Sequence, residues 1–404
     1  MISGIVIAAG VGLIAAKRPL SSLLLAGSVL AAPRAREAMP SGTPDLQIGG
    51  QPVVLLQRKP THSAAEPEFL SATVLPGRGM NLFQITAKIP GKGEVPIFAS
   101  PSLEAAAATL DEGPQDVHGV HSFAFGGAFL VPYANRIRGK LTPDGKNIVT
   151  EWDGKALTLP AVWKGKKPDA ELHAIHGLIL ARKTEEVRVE KTADGQTVTG
   201  IIDAGDFGGY WPSKTRLTIS VGLTGSAVEA TIVAKNMGPE PEPMGIGWHP
   251  YFAFPSGNRS QVRLHIPATE LAEVNNYDDV FPTGKLVPVK GTKYDFEAAS
   301  GKALEDIFLD DNFSQLTRTG GQVVVDVIDP AASYGLHIKG LSSEIRTIQV
   351  YAPPDKPFTA IEEQFNFGDP FSPVWGRRNT GMVTLAPGQS VTWKVRLELF
   401  TPKN

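Results

Sequence analysis

The sequence predicts an all-β fold, a large twisted antiparallel β-sandwich, and three observations carry this prediction. The 404 residues include 42 glycines and 33 prolines, scattered without a period, which breaks helices and suits short strands joined by turns. Several segments alternate apolar and polar residues with a period of two, as strands do. The sequence contains no long amphipathic helix, no internal repeat and no glycine-rich phosphate-binding motif after a strand.

The period-two alternation is clearest in three segments. Residues 391–399 place apolar side chains at the odd positions and polar side chains between them. Residues 217–223 do the same, turn at 224–226 and return through 228–232, which predicts a hairpin. Residues 262–266 form a shorter run. Strands with one apolar and one polar face are typical of an antiparallel sheet that covers a core on one side.

Two segments depart from this pattern. The segment Leu103–Leu110 reads LEAAAATL and predicts a short helix. Residues 239–243 read PEPEP, and alternating prolines are excluded from helices and from central strands. We therefore expect a loop at 239–243 that leads into a strand at 245–252.

The first forty residues differ from the rest of the chain. Lys17 and Arg18 precede an apolar stretch at 20–32 that ends in small residues, the order found in a secretory signal peptide. Neither this stretch nor the apolar block at 1–16 reaches the roughly 18–20 residues of a membrane span. The sequence predicts a signal peptide or membrane anchor at 1–40, a periplasmic or secreted location with membrane anchoring as the alternative, and one domain at 41–404.

Composition and charge exclude several classes of protein. The 39 basic and 41 acidic residues give a net charge of −2. The chain therefore lacks the basic surplus that would indicate a nucleic acid partner. The absence of cysteine excludes thiol nucleophiles, disulfides and cysteine-based zinc sites. A membrane is expected as a partner only through the N-terminal segment, and the oligomeric state is left open.

Four segments place polar or ionisable side chains among apolar and aromatic residues. They are GGAFLVPYANRIRG at 126–139, LHAIHGL at 172–178, GIGWHPYF at 245–252 and VYAPPDKPFTAIEEQFNFGDPF at 350–371. Ionisable groups in apolar surroundings are candidates for a functional site, because burying them is costly and shifts their pKa values.

In this order, the four segments resemble the aldose 1-epimerase family, whose members are also called galactose mutarotases. The matching motifs are Pro-Tyr-Ala-Asn-Arg-Ile at 132–137, His-Gly-Leu at 176–178, His-Pro-Tyr-Phe at 249–252, and Tyr-Ala-Pro-Pro at 351–354 leading to Glu-Glu-Gln at 362–364. The resemblance implies a galactose mutarotase-like supersandwich. It also implies interconversion of the α and β anomers of free aldohexoses, without a metal or any other cofactor.

The resemblance assigns catalytic roles to individual residues. Glu362 is the expected general base on the C1 hydroxyl, and His249 is the expected general acid on the ring oxygen. His176 is expected to bind the sugar near the same oxygen. His173 precedes His176 by three residues and, in a strand, would point to the opposite face.

The resemblance also assigns residues that bind the sugar. Asn135 and Arg136 are expected to hold ring hydroxyls, and Asp310 is expected to accept hydrogen bonds from them. Three aromatic side chains are expected to line the apolar face of the sugar: Tyr251, Trp248 and Trp211.

Two departures from the family pattern leave alternatives open. The family has a proline after the motif glutamate, whereas Glu363 stands there in this chain, which makes Glu363 a second candidate for the base. The register with Gln364 favours Glu362. The binding aspartate lies in the sequence Leu-Asp-Asp-Asn, so Asp311 is the alternative to Asp310.

Mutarotation needs one base and one acid at the same C–O bond, because the C1 hydroxyl loses a proton while the ring oxygen gains one. A carboxyl group with a pKa of about 4 is ionised at neutral pH, and a histidine with a pKa of about 6.5 is partly protonated, more so beside a carboxylate. We therefore expect an ionised Glu362 and a partly protonated His249. The expected partner is a free monosaccharide, with the pocket's shape deciding among glucose, galactose, xylose and arabinose.

Three other functions are compatible with parts of the sequence. A hexose-6-phosphate 1-epimerase would need cations around the phosphate, and Arg136, Arg138 and Lys140 form the candidate cluster. A non-catalytic carbohydrate-binding protein would not need both an acid and a base. A glycoside hydrolase would use two carboxyl groups about 5–10 Å apart, for which Asp310 and Glu362 are the candidates.

Overall fold

The computed structural model describes residues 46–111 and 116–402, so the predicted signal peptide or anchor at 1–40 lies outside the described residues. The all-β prediction is confirmed, because the described residues form antiparallel strands and one α-helix. No helix within 46–111 or 116–402 is long and apolar enough to cross a membrane. The domain boundary at residue 41 stays a prediction.

In chain order, the strands up to residue 205 are β1 (Gln47–Ile48), β2 (Gln51–Pro52), β3 (Val54–Gln57), β4 (Glu68–Leu75), β5 (Asn81–Ile89), β6 (Gly93–Pro96), β7 (Gly127–Leu130), β8 (Arg136–Ile137), β9 (Lys140–Leu141), β10 (Asn147–Trp152), β11 (Lys155–Pro160), β12 (Ala174–Ile175), β13 (Glu186–Lys191) and β14 (Gln196–Gly205). The helix α1 spans Leu103–Leu110, the range that the sequence predicts.

The strands that follow are β15 (Thr215–Leu223), β16 (Ala227–Asn236), β17 (Glu242–Met244), β18 (Gly247–Ala253), β19 (Arg263–His265), β20 (Ala268–Val274), β21 (Pro282–Pro288), β22 (Lys302–Ala303), β23 (Leu309–Leu316), β24 (Val323–Asp329), β25 (Tyr334–Gly340), β26 (Thr347–Ala352), β27 (Phe358–Gln364), β28 (Val383–Leu385) and β29 (Ser390–Phe400). Short 3-10 turns lie at Pro76–Arg78, Val120–Ala124, Arg259–Gln261, Pro330–Ala332 and Pro373–Trp375.

Two large sheets contain most of the strands in the described part of the chain. One sheet has nine strands in the order β13-β14-β15-β16-β29-β25-β24-β19-β22. The other has eleven strands, in the order β21-β20-β23-β26-β27-β18-β7-β5-β4-β3, with β6 paired to β5 at its side. The order jumps along the chain, so neighbouring strands bring together residues that are far apart in sequence.

The two sheets pack face to face around an aromatic centre. The ring of Trp248 in β18 lies 6.2 Å from the ring of Trp393 in β29, and Phe129 in β7 lies 6.1 Å from Trp393. All three side chains are buried, and such rings remove large apolar areas from water. Since side chains alternate along a strand, every second residue of the eleven-stranded sheet points away from this core. That outer face carries the candidate site.

The structure confirms the predicted hairpin and corrects the predicted proline loop. Strands β15 and β16 form the hairpin, with Leu217 opposite Ala234. Residues 242–244 are not a loop, because they form β17, which pairs with β28 in a two-stranded ribbon. Pro243 lies opposite Thr384 there. A strand at a ribbon edge needs no amide hydrogen bond on its outer side, so a proline is tolerated.

Candidate active site

Strands β18 and β27 bring the predicted acid and base to the same face of the eleven-stranded sheet. The two strands are antiparallel neighbours, with Tyr251 opposite Ala360. His249 and Tyr251 lie two residues apart in β18 and therefore point to the same outer face. Their rings are 4.9 Å apart. Glu362 projects beside them from β27.

His249 and Glu362 are in direct contact. The Nε2 atom of His249 lies 3.2 Å from Oε1 of Glu362, and the two side chains are 7% and 2% exposed. The second carboxyl oxygen, Oε2, accepts a hydrogen bond of 2.7 Å from Nε2 of Gln364. The acid and the base thus form one unit that water scarcely reaches, and Gln364 fixes the orientation of its carboxyl group.

Burial works against charge on both members of this pair. It raises the pKa of Glu362 well above its usual value, and the negative charge of Asp310 acts in the same direction. Burial also lowers the pKa of His249 to about 4, with the positive charge of Arg136 adding to the effect. Burial therefore acts against the expected charges, an ionised Glu362 and a partly protonated His249, in the ligand-free site. The loss of hydration favours a neutral pair with its proton on the carboxyl group.

Glu363 points away from the pair. Its side chain is turned by strand alternation into the space between the sheets, close to Gly340. It is fully buried, and neither carboxyl oxygen has a hydrogen-bond partner among the described residues. Burial raises the pKa of Glu363 to about 8. The geometry favours Glu362 as the carboxyl group that meets a sugar.

Two short paired strands bring the Asn-Arg-Ile and His-Gly-Leu motifs together. Strand β8 pairs with β12, with Arg136 opposite Ile175. The amide of His176 donates a hydrogen bond of 2.9 Å to the carbonyl of Asn135. The ring of His176 then lies 4.9 Å from the ring of His249. Two motifs that are separate in sequence therefore reach the same point.

The backbone at His176 explains why glycine follows it. Asn135 and His176 have φ values of 62° and 57°, in the left-handed region that few residues other than glycine adopt. Gly177 has a φ of 79°, and a Cβ there would lie 2.4 Å from the carbonyl oxygen of Val131. Any side chain at residue 177 would push the motif away from the backbone of Val131, so glycine keeps the His176 ring in the site. Unfavourable backbone at a residue that faces a cleft is typical of functional sites.

Four side chains form a closed ring of hydrogen bonds beside the acid–base pair. Nη2 of Arg136 lies 3.5 Å from Oδ2 of Asp310, and Nη1 of Arg136 donates to Oδ1 of Asn135 at 3.3 Å. Nε2 of Gln349 donates to Oδ1 of Asp310 at 2.8 Å. Oε1 of Gln349 accepts from Nδ2 of Asn135 at 2.9 Å. We call these four residues the binding ring.

Gln349 was missed by sequence reasoning. It lies opposite Glu362 in the pairing of β26 with β27, and its side chain connects Asn135 to Asp310. It precedes Tyr351 by two residues, so both point to the same face. Strand alternation backwards from the Tyr-Ala-Pro-Pro motif is the signal that could have found it.

The structure separates Asp310 from Asp311. Asp310 faces the binding ring, whereas Asp311 points to the opposite side of β23. There Oδ1 of Asp311 accepts a hydrogen bond of 2.8 Å from the hydroxyl of Tyr277. Burial raises the pKa of Asp311 to about 6, and it is 1% exposed. Of the two candidates, Asp310 is the one placed to contact a ligand.

Two aromatic side chains that sequence reasoning missed lie over the histidines. The ring of Phe123 is 4.7 Å from the ring of His176 and 5.6 Å from that of His249. The ring of Trp163 packs edge-on against Phe123 at 5.3 Å. Phe123 is only 6% exposed. We call these two residues the aromatic cover; they lie outside every motif, so the sequence offered no signal for them.

Two of the three aromatic residues expected to line the sugar are elsewhere. Trp248 points into the core between the sheets, because it alternates with His249 along β18. Trp211 is also a core residue, with its ring stacked 6.0 Å from that of Tyr133. The predictions for Trp248 and Trp211 are wrong, and Tyr251 is the member of the three that lies in the site.

His173 lies behind the site and not in it. It is fully buried, its Nδ1 atom is 2.9 Å from the carbonyl oxygen of Glu171, and its ring packs edge-on against Phe281 at 4.9 Å. Burial lowers the pKa of His173 to about 3, so it stays neutral. It supports the segment that leads to His176.

The cations considered for a phosphate site do not converge. Nη2 of Arg138 is ion-paired with Oε1 of Glu171 at 2.5 Å, Arg136 faces Asp310, and Lys140 is exposed. In the part of the chain that the structure describes, no group of three or more His, Cys, Asp or Glu side chains is arranged to hold a metal ion.

The model of the family described as aldose 1-epimerase matches residues 108–398 of this chain, a range that contains the whole site. The chain belongs to the aldose 1-epimerase family. The family affiliation supports epimerase chemistry on a free sugar.

Solved structures that resemble this chain have the same fold. A galactose mutarotase-like protein from Clostridium acetobutylicum has 19% identity and a TM-score of 0.67, covering 87% of this chain and 99% of that one. A galactose 1-epimerase from Lactobacillus acidophilus NCFM has 15% identity and a TM-score of 0.60, with 87% and 99% covered. An aldose epimerase homologue from C. elegans has 18% identity and a TM-score of 0.60, with 82% and 96% covered. The expected mutarotase-like sandwich is confirmed.

Proposed function

We propose that this aldose epimerase interconverts the α and β anomers of a free aldohexose, with Glu362 as the general base and His249 as the general acid. The observation that carries the proposal is the 3.2 Å contact between Nε2 of His249 and Oε1 of Glu362 in a buried site. The hydroxyl oxygen and the ring oxygen of a sugar are bonded to the same carbon, C1, and lie close together. A contacting acid and base can therefore each reach one of them.

The reaction proceeds by two proton transfers and one bond cleavage, followed by their reversal. The Glu362 carboxylate takes the proton of the C1 hydroxyl as the His249 imidazolium gives a proton to the ring oxygen. The bond between C1 and the ring oxygen breaks, and C1 becomes the aldehyde carbon. After rotation about C1–C2, the hydroxyl group formed from the ring oxygen attacks the other face of the aldehyde. His249 then recovers its proton, and Glu362 returns one to the new C1 hydroxyl.

The neutral pair can supply the reactive charges without exchanging a proton with solvent. Transfer of the proton from Glu362 to His249 across their contact gives a carboxylate and an imidazolium at the same total charge. Hydrogen bonds from a bound sugar's hydroxyls to the carboxylate favour that charged form. Burial keeps water from replacing the sugar in these hydrogen bonds.

The sugar hydroxyls are held by the binding ring and His176 in this proposal. Arg136 offers directed donors from its planar guanidinium group, while Asp310 and Asn135 offer acceptors. His176 is buried and its pKa is far below the usual value because of burial, so it acts as a neutral group. Tyr251 packs beside His249 and provides an aromatic surface for the apolar face of the sugar.

The same contacts weigh against the alternative functions. Arg138 is already neutralised by Glu171, which leaves the site without the cation cluster that a phosphosugar would need. A protein that only binds sugar does not need a buried acid and base in contact. Burying ionisable groups lowers stability, and groups buried in this way with shifted pKa values are typical of catalytic sites.

Polarimetry with the purified protein tests the proposal. Fresh α-D-glucose and α-D-galactose are followed to anomeric equilibrium with the wild type, Glu362→Gln and Glu363→Gln. Glutamine keeps the size of the side chain but cannot take a proton. We expect the wild type to accelerate relaxation, and Glu362→Gln to lose about 10²–10⁴-fold of the rate.

Glu363→Gln is the matched control and should retain the wild-type rate, because its side chain points between the sheets. A wild type that leaves glucose, galactose, xylose and arabinose at the buffer rate would reject the proposed function. An active Glu362→Gln variant with an inactive Glu363→Gln variant would reject the assignment of the base.

A further inference from the structure

A small recess opens beside the binding ring. It has about 10 Å³ of internal room, the space of one water molecule or one hydroxyl group. Its polar wall consists of Asp310, Gln349, Asn135 and Asn312, while Ala272 and Val280 are among the residues on its apolar side. The first three of these polar residues belong to the binding ring, and Asn312 does not.

Asn312 presents an unpartnered polar atom in this place. It is 5% exposed, and its Oδ1 atom has no hydrogen-bond partner among the described residues. Its Nδ2 atom donates to Oγ1 of Thr347 at 3.2 Å. The Thr347 hydroxyl in turn donates to the carbonyl of Asn366 at 3.3 Å, so its oxygen is free to accept from Asn312. This chain of bonds fixes the amide orientation and leaves Oδ1 as the free acceptor.

A buried acceptor without a donor destabilises a site until a ligand supplies the donor. Asp310 on the same wall is also an acceptor. The recess therefore suits a group that donates a hydrogen bond and is no larger than an oxygen atom with its hydrogen. A sugar hydroxyl has both properties, whereas a methylene group has the size without the donor.

We propose that Asn312 is a specificity-determining residue of this epimerase, and that its Oδ1 accepts a hydrogen bond from one sugar hydroxyl placed in the recess. The inference rests on the proposed function for the identity of the ligand as a free sugar. It adds that one hydroxyl of the aldohexose, other than the one at C1, is recognised by Asn312 and decides which sugars are accepted.

The test combines a panel of sugars with variants of Asn312. Dissociation constants by calorimetry and kcat/KM by polarimetry are measured for D-glucose, D-galactose, D-xylose and their single-deoxy analogues. The proteins are the wild type, Asn312→Leu, which has a similar size and no polar atom, and Asn312→Ala, in case leucine disturbs folding. Ser314→Ala is the matched control, because Ser314 is also buried on the same face of β23 but does not line the recess.

With the wild type, we expect one analogue, which lacks the recognised hydroxyl, to have a dissociation constant and a kcat/KM that are at least about tenfold less favourable than those of its parent sugar. With Asn312→Leu the parent sugar should fall to the level of that analogue, so that the difference disappears. Ser314→Ala should keep the difference. A uniform loss for all sugars, or unchanged ratios, would overturn the inference and make the recess a water site of structural value only.

The two proposals fail in different ways. If the wild type accelerates the interconversion of no sugar but its binding shows the pattern above, the proposed function is wrong and the inference about Asn312 is supported. If the wild type is active and Asn312→Leu leaves every ratio between sugars unchanged, the proposed function stands and the inference about Asn312 is wrong. Absence of both binding and turnover rejects both.

Discussion

The Nε2 atom of His249 lies 3.2 Å from Oε1 of Glu362. In this contact the ordinary order of the two pKa values is reversed, because the pKa of the carboxyl group lies above that of the histidine. Burial lowers the pKa of the histidine to about 4 and raises that of the carboxyl group well above its usual value. The pair therefore holds one proton over a broad range of pH, and titrates as a unit. The reactive form, a carboxylate beside an imidazolium, has this same number of protons.

The first prediction concerns the pH dependence of kcat/KM. Below a pH of about 4 the pair gains a second proton, the base is lost and the rate should fall. The rate should then stay level until Glu362 loses its proton, at a pKa that burial raises well above the usual value. Polarimetric rates across this range, corrected for buffer catalysis, give the profile. An acidic limb centred at about 6.5, the ordinary histidine value, would contradict this account.

A second prediction concerns the stability of the protein and Glu363. Its carboxyl group has a pKa of about 8 in the folded protein and 4.5 as the ordinary value, so the folded state holds a proton that the unfolded state has lost between these limits. The free energy of unfolding should therefore fall as pH rises from 4.5 to 8, by at most about 1.4 kcal/mol per pH unit from this group. Glu363→Gln should remove that contribution and be the more stable protein at the upper limit.

Urea unfolding at several pH values compares the two proteins. Taking the difference between Glu363→Gln and the wild type cancels the other buried carboxyl groups, such as Asp311 and Asp369, which also titrate with raised pKa values. Two parallel curves of unfolding free energy against pH would show that Glu363 is not the buried acid described here.

A third prediction concerns the support that Gln349 gives to the binding ring. Gln349→Leu should raise KM more than it lowers kcat, because it leaves Asp310 and Asn135 without the partners that orient them for the sugar. An increase of about tenfold in KM corresponds to the loss of one or two hydrogen bonds. Gln349→Glu should do more damage, since it places a second negative charge beside Asp310. An unchanged KM in Gln349→Leu would show that Gln349 does not contribute to sugar binding.

A fourth prediction concerns the aromatic cover. Phe123 contacts the rings of both His176 and His249, so Phe123→Ala should expose these histidines. Modification of the two by diethyl pyrocarbonate, followed by peptide mass spectrometry, should become several times faster, and kcat should decrease because water enters the site. Phe125→Ala is the control, since Phe125 packs against a different cluster around Leu75. Equal modification rates in Phe123→Ala and the wild type would show that the Phe123 ring does not shield the two histidines from the reagent.

Much of the fold could be predicted from the sequence because its signal is local. Period-two alternation at 217–223 and 391–399 arises from one strand having one buried face, and both strands formed as expected. The segment Leu103–Leu110 became a helix because its alanines and leucines favour that conformation. The ribbon at Glu242–Met244 escaped prediction because the pairing partner, β28, lies far along the chain.

The motifs indicated several residues of the candidate site, but not the state of those residues. Asn135, His176, His249 and Glu362 were all found from short sequence patterns, and the structure brings their side chains together. Burial acts against the charges expected at Glu362 and His249, because a pKa depends on hydration and on neighbours that sequence does not place. Trp248 was misassigned for a related reason, since its direction follows from the register of β18 and not from its position beside His249.

The sequence by itself determined that this chain forms an antiparallel sandwich and belongs among the aldose 1-epimerases, because alternation and motif order are properties of the chain alone. Tertiary structure alone decided that Glu362 and not Glu363 faces the site, that Gln349 completes the binding ring, and that Phe123 covers the histidines. These relationships depend on strand register and on contacts between residues far apart in sequence. They also depend on burial, which sets proton positions through the cost of removing charge from water.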